Sequence, residues 1–171
     1  MASSNASGLG KTMCELDASK HVESLVVVNR QRNEARFASN DVQPISRIGI
    51  VGAGVMGSVV AASAVSHGIP VTVTDLDEDA LDRLPSAIET AMHTESNASA
   101  DVMRSKVDNL VTRTSQLEEV ASCDLIVESI VENVTTKRNF YSVLEKACPD
   151  DKLIVSNTST LPIAELAAHF R

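Results

Sequence analysis

The chain has 171 residues, ordinary for a single domain, and its 43% hydrophobic content is that of a globular protein rather than a disordered one. Residues 1–44 hold five basic and five acidic residues out of totals of 15 and 23, so the whole net charge of −8 lies in 45–171. With one Tyr, three Phe and no Trp, this acidic body argues against a nucleic-acid surface, and no apolar run approaches the ~20 residues of a membrane helix.

Residues 1–44 read as an N-terminal extension, poorly ordered or partly docked, that precedes the fold. They lack the charged start and long apolar core of a signal peptide, and their acids argue against a transit peptide. Within them the run Leu25–Val28 is able to form an edge strand or dock on the domain. Cys14, Cys123 and Cys148 show no C-x-x-C spacing, which predicts reduced thiols in a cytoplasmic protein, and no metal site is expected.

From Ile45 the pattern alternates strand and helix. That alternation predicts an α/β fold of Rossmann type, a doubly wound, mostly parallel sheet with helices on both faces. Strands are predicted near 46–51, 70–75, 108–112, 124–130 and 152–156, and helices near 54–67, 77–92, 115–121, 134–147 and 162–170. The polar stretch 93–106 reads as a loop or frayed helix end. Pro85 is expected to kink or divide the second helix.

The first strand runs into Gly52-Ala53-Gly54-Val55-Met56-Gly57, a glycine turn that opens a helix. Gly52 supplies the backbone angles of the turn, Gly54 lets the main chain approach a pyrophosphate, and Gly57 lets the helix lie close to the strand. Val55, Val59, Val60 and Ala64 then recur near helical period, and Met56 reads as a packing residue of that helix. The second strand ends at Asp75, close to the ~20-residue offset at which a carboxylate accepts ribose hydroxyls. A carboxylate there repels a 2′-phosphate and so favours NAD over NADP. The alternative for Asp75 is a helix cap or solvated acid, since Asp77, Glu78 and Asp79 follow it.

Two further motifs fall where the fourth and fifth strands should end, the position at which open parallel sheets bind ligands. They are Asp124-Leu-Ile-Val-Glu128-Ser-Ile-Val-Glu132-Asn133, followed by Lys137, and Ile154-Val-Ser-Asn157-Thr-Ser159-Thr-Leu-Pro162. Bland alternatives exist here too: Asn133 as a helix N-cap, Lys137 as a solvated helix lysine, and Asn157–Ser159 as a plain turn before Pro162.

With the glycine turn, these motifs make the segment from about Ile45 onward resemble the NAD-binding domain of the L-3-hydroxyacyl-CoA dehydrogenase family, which includes 3-hydroxybutyryl-CoA dehydrogenases. The resemblance implies that the glycine turn, Asp75, Glu132, Lys137, Asn157 and Ser159 contact NAD. It further implies that Lys137 lies near the CoA end of the substrate and that Ser159 hydrogen-bonds the reacting 3-hydroxyl. Family chemistry is oxidation of an L-3-hydroxyacyl-CoA, with a histidine base about 20 residues beyond the Asn-Thr-Ser turn, oriented by a glutamate. That count passes Arg171, so the expectation is a domain truncated at its C-terminal end and poorly active alone. Dimerisation is expected only through the helical domain that follows in the family.

His169-Phe170 lies too near Ser159 to be that base and reads as a helix C-terminal cation. The stretch Glu89–Ala98 shows alanines where the family carries a serine and a lysine for CoA phosphates. Two other readings therefore stand beside an acyl-CoA substrate: a dehydrogenase of a non-CoA 3-hydroxy acid or sugar acid, and a non-catalytic dinucleotide-binding module.

Overall fold

A computed structural model describes residues 44–95, 98–149 and 152–167. All but the last residue of the expected extension, including Leu25–Val28 and Cys14, lies outside these residues, as does His169-Phe170. Five short strands form one sheet: β1 (Ile48–Val51), β2 (Val71–Thr74), β3 (Val111–Thr114), β4 (Leu125–Glu128) and β5 (Leu153–Ser156). Their order is β3-β2-β1-β4-β5 and every pairing is parallel. The helices are α1 (Val55–Ser66), α2 (Glu78–Glu95), α3 (Ala100–Leu110), α4 (Leu117–Ala121), α5 (Val134–Ala147) and α6 (Ile163–Ala167). No helix among the described residues is long and apolar enough to cross a membrane.

The strands are short apolar or β-branched runs buried by two separate hydrophobic clusters. One joins Ile50, Val71 and Val73 to α1, α2 and α3 through Ala61, Val65, Leu84, Ile88, Met103 and Val107. The other joins Val51, Ile126 and Ile154 to Val120, Tyr141, Leu144 and Leu166. Such double-sided cover is what a parallel sheet with crossover helices requires. Strand order reverses between β1 and β4, which places the glycine turn and the Glu132 segment side by side at the carboxyl edge.

Three readings of local structure need correction. The stretch 93–106 is not a loop: α2 continues to Glu95, α3 starts at Ala100, and β3 begins at Val111 rather than near 108. Met103 and Val107, one turn apart, are both buried against the rest of the core, so tertiary burial overrides a polar composition. Pro85 does not divide the second helix. A proline leaves the carbonyl four residues earlier without its helical donor, and here that carbonyl, Leu81 O, accepts from Arg113 Nη1 of β3 at 3.1 Å.

The third correction concerns α1. Its buried residues are Gly57, Ser58, Ala61, Ala62, Ala64 and Val65, while Val55, Met56 and Val59 are exposed. Small residues face the sheet because the helix lies close to it, and Met56, 51% exposed, stays outside the buried core. Other features follow local rules. Asn133 N-caps α5, its side chain accepting from Thr136 N at 3.0 Å, and His67 is the C-cap of α1 with its ring 2.8 Å from Ser63 O.

Candidate functional site

The glycine turn is held by neighbours on both sides. Gly52 N donates to Thr74 O and Ser129 N to Val51 O, each at 2.8 Å, so the turn continues both adjoining ladders. Gly52 sits at φ +110°, a left-handed angle that disfavours side chains, and a Cβ there would lie 2.4 Å from Ser129 O. A Cβ on Gly57 would lie 1.8 Å from Gly52 O. Gly54 differs: a Cβ there would meet no atom within 4 Å. Its empty side opens at the start of α1, whose N-cap is this glycine with no side-chain cap, and whose first turn carries no acid. Unsatisfied first-turn amides facing open space suit a pyrophosphate, so the residues present fit a dinucleotide.

Asp75 follows β2 and bends back to this turn. Its Oδ2 accepts from Ala53 N at 2.6 Å and its Oδ1 from Asp77 N at 3.0 Å. It thus serves the local turn and also reaches the glycine segment, with lone pairs left over for a further donor such as a ribose hydroxyl. Beside it Leu76 is fully exposed.

At the ends of β4 and β5 lies a group of side chains that sequence reasoning only partly identified. Glu128, the last residue of β4, is fully buried, and its register partner in β5 is Ser156. Its Oε1 accepts from Lys137 Nζ at 2.5 Å and Ile130 N at 2.9 Å; its Oε2 accepts from Tyr141 OH at 2.7 Å and Ser156 Oγ at 2.5 Å. Four donors fill the capacity of one carboxylate. Burial, and next the adjacent Glu128 carboxylate, push the Tyr141 phenol well above its ordinary range, so it stays a donor. The signal for Glu128 was available: an acid ending an otherwise apolar strand, with a lysine and a tyrosine one turn apart on the next helix.

Lys137 is not a solvated helix lysine. Its side chain is 0% exposed, and its Nζ lies 2.5 Å from Glu128 Oε1 and 3.3 Å from Glu132 Oε2. Glu132 in turn gathers the Asn157–Thr160 segment: its Oε1 accepts from the Thr158 hydroxyl, Thr160 Oγ1 at 2.9 Å, Thr160 N at 3.2 Å and Ser159 N at 3.3 Å. Asn157 donates to Ser129 Oγ at 3.3 Å, tying the segment to the strand end beside the glycine turn. Ser159 is exposed. Glu132, Lys137, Asn157 and Ser159 therefore meet at one edge of the sheet, next to the glycine turn and Asp75.

Partial burial works to raise the Glu132 carboxyl, but hydrogen bonds from Thr158, Thr160 and Lys137 outweigh it and bring the group from an ordinary 4.5 to about 2. A depressed folded-state value contributes stability that is complete above 4.5 and is lost as pH falls through about 2. Denaturation midpoints of the wild type are expected to fall more steeply over that window than those of Glu132→Gln, whose midpoints should already be lower at pH 6. Parallel curves would contradict this account of the carboxylate.

The cysteines stand apart from this edge. Burial raises the thiol of Cys123, and lifts that of Cys148 to about 11, so neither is a ready nucleophile. Of the described histidines, His67 is the C-cap of α1 and His93 lies in the last turn of α2. Since α1 leads straight into the start of β2, His67 lies at the amino edge of the sheet, the edge opposite Ser159.

Comparison with known proteins agrees with this geometry. Residues 47–171 match the family described as 3-hydroxyacyl-CoA dehydrogenase, NAD binding domain. A probable 3-hydroxybutyryl-CoA dehydrogenase of Bacillus subtilis (strain 168) is 34% identical over 128 residues, covering 72% of this chain and 44% of the relative. Among solved structures, a diketoreductase described for dual catalysis of dicarbonyl compounds superposes with a TM-score of 0.67 at 28% identity, over 75% of this chain and 47% of that one. The 3-hydroxybutyryl-CoA dehydrogenase of Escherichia coli K12 does so with a TM-score of 0.66 at 25% identity, over 75% and 28%. The chain thus spans less than half the length of these relatives. With the glycine turn, the strand-end acid and the Glu132-bound turn in place, the chain belongs to the 3-hydroxyacyl-CoA dehydrogenase family, and what it carries is that family's NAD-binding domain.

Proposed function

We propose that this chain forms the NAD-holding half of a dehydrogenase that oxidises an L-3-hydroxyacyl-CoA to the 3-oxoacyl-CoA. The observation that carries the reading is the convergence of the Glu132-bound Asn157–Thr160 turn and the glycine turn across the point where strand order reverses. NAD, when bound, supplies the acceptor for the hydride leaving C3. The amides of Val55 and Met56 would hold its pyrophosphate, Asp75 its adenosine ribose, and Asn157 and the Glu132–Lys137 pair would stand at the nicotinamide end. Ser159 would hydrogen-bond the reacting oxygen, which a hydroxyl suits because it donates to a ketone and accepts from an alcohol. Proton abstraction falls to a histidine outside the described residues.

Fluorescence titration with NADH and NADPH, followed by addition of acetoacetyl-CoA or free acetoacetate, tests this reading. NADH should bind at least ~10-fold more tightly than NADPH, the size of one unmet charge repulsion. Oxidation of NADH by acetoacetyl-CoA should be slow or absent, and brisk turnover would mean that a histidine of this chain, His169 included, serves as the base. Failure to bind NADH would overturn the reading as a whole. Asp75→Ala should weaken NADH by roughly 10-fold and erase the preference over NADPH; an unchanged preference would leave Asp75 as a turn residue only.

A second reading keeps the reaction type and drops CoA. It is supported by the alanines of Glu89–Ala98 and by the likeness to a diketoreductase. Closer association of free 3-oxo acids than of CoA thioesters with the NADH complex would favour it.

A further inference from the structure

Of the residues the family resemblance assigns to NAD contact, Lys137 and Glu132 are the two whose side chains form an ion pair with one another. Lys137 has no exposed surface, and its ammonium lies between two carboxylates. Glu132 turns its Oε1 to four donors from three consecutive residues, Thr158, Ser159 and Thr160, and its Oε2 to Lys137. We propose that both are positioning residues: Lys137, anchored by Glu128, orients Glu132, and Glu132 fixes the Thr158–Thr160 turn so that Ser159 is held at the carboxyl end of β5. The inference deepens the function proposed above and rests on its use of Ser159.

The elements are arranged for such a relay. Asn133 fixes where α5 starts, so Lys137 and Tyr141, one turn apart, reach Glu128 together. Glu128 is immobilised in the sheet by its register with Ser156 and by four hydrogen bonds. The cation is therefore held from below, and its long stem loses no further freedom when Glu132 docks on it. One ammonium shared by two carboxylates also keeps the pair from repelling one another. The turn bearing Ser159 has no regular secondary structure until α6 begins at Ile163, and Glu132 supplies the donors' common acceptor.

Serial action and direct ligand contact differ in a double-mutant cycle. In the full chain, NADH dissociation constants and amide proton shifts of Ser159 and Thr160 would be measured for Glu132→Ala, Lys137→Met and the double variant. Each single change should weaken NADH by about fivefold, and the double by no more than the worse single, because both act through one turn. The downfield shifts that a carboxylate imposes on the Ser159 and Thr160 amides should be lost in all three. Losses that multiply to about 25-fold, as two independent contacts would give, or amide shifts that stay in place, would overturn the proposal. Should Lys137→Met fail to fold, Glu128→Gln/Lys137→Met removes both buried charges and carries the same readouts. If the wild type takes up no NADH, the proposed function falls, and the amide shifts alone decide whether the clamp exists.

Discussion

Replacing Gly57 with alanine is expected to abolish NAD binding and to destabilise the domain by ~3 kcal/mol or more. The added Cβ would sit 1.8 Å from Gly52 O, a backbone atom that no rotamer change can move aside. Relief requires either α1 to lift from the sheet, unpacking Ala61 and Val65, or the glycine turn to open, releasing Gly52 N from Thr74 O. Either way the first-turn amides leave the position that faces the pyrophosphate. Gly54→Ala is the informative partner, because its Cβ meets nothing within 4 Å and its φ of −72° is open to any residue. That variant should keep its denaturation midpoint, with a cost of ~1 kcal/mol at most, yet lose NADH affinity by at least ~10-fold. Urea denaturation and NADH fluorescence on the two variants separate a fold requirement from a ligand requirement. Normal NADH binding by Gly54→Ala would mean that the open side of the turn is not where the dinucleotide lies.

The second large effect is expected at Lys137. Lys137→Met leaves Glu128 buried with its Oε1 facing an apolar thioether, and such orphaned charges cost about 3–5 kcal/mol. Tyr141, Ser156 and the Ile130 amide still donate to Glu128, which places the loss toward the lower end of that range. Glu128→Gln/Lys137→Met should recover most of the loss, since a neutral amide beside methionine needs no counter-charge. A double variant as unstable as Lys137→Met would show that packing of the lysine stem, not charge pairing, dominates the site.

Much of the architecture was legible because its signals are local. The alternation of apolar strands with longer helical segments suffices for a parallel α/β sheet, and all five strands lie within three residues of where periodicity puts them. Gly52 is demanded by one dihedral angle and Gly57 by one close approach, and both appear as spacing. The failures are tertiary. Helix α3 was hidden because its polar composition says nothing about Met103 and Val107 finding a core. The division of the helix at Pro85 does not occur, and Arg113, on a strand that local reasoning cannot bring near, answers the freed carbonyl of Leu81.

The candidate site divides in the same way. The glycine turn, the carboxylate after β2, and the Glu132 and Asn-Thr-Ser motifs at the ends of β4 and β5 are each legible in the sequence, because each is a short run of residues at fixed spacing. How the polar groups pair emerges only once the chain has folded: Lys137 beneath Glu132 rather than in solvent, Glu128 satisfied by Tyr141 and Ser156, and the Ser159 turn hung from Glu132. The difference is one of range. A turn is specified by the residues within it, whereas a buried charge selects partners 9 to 28 positions away that meet it only after β4 and β5 have come into register.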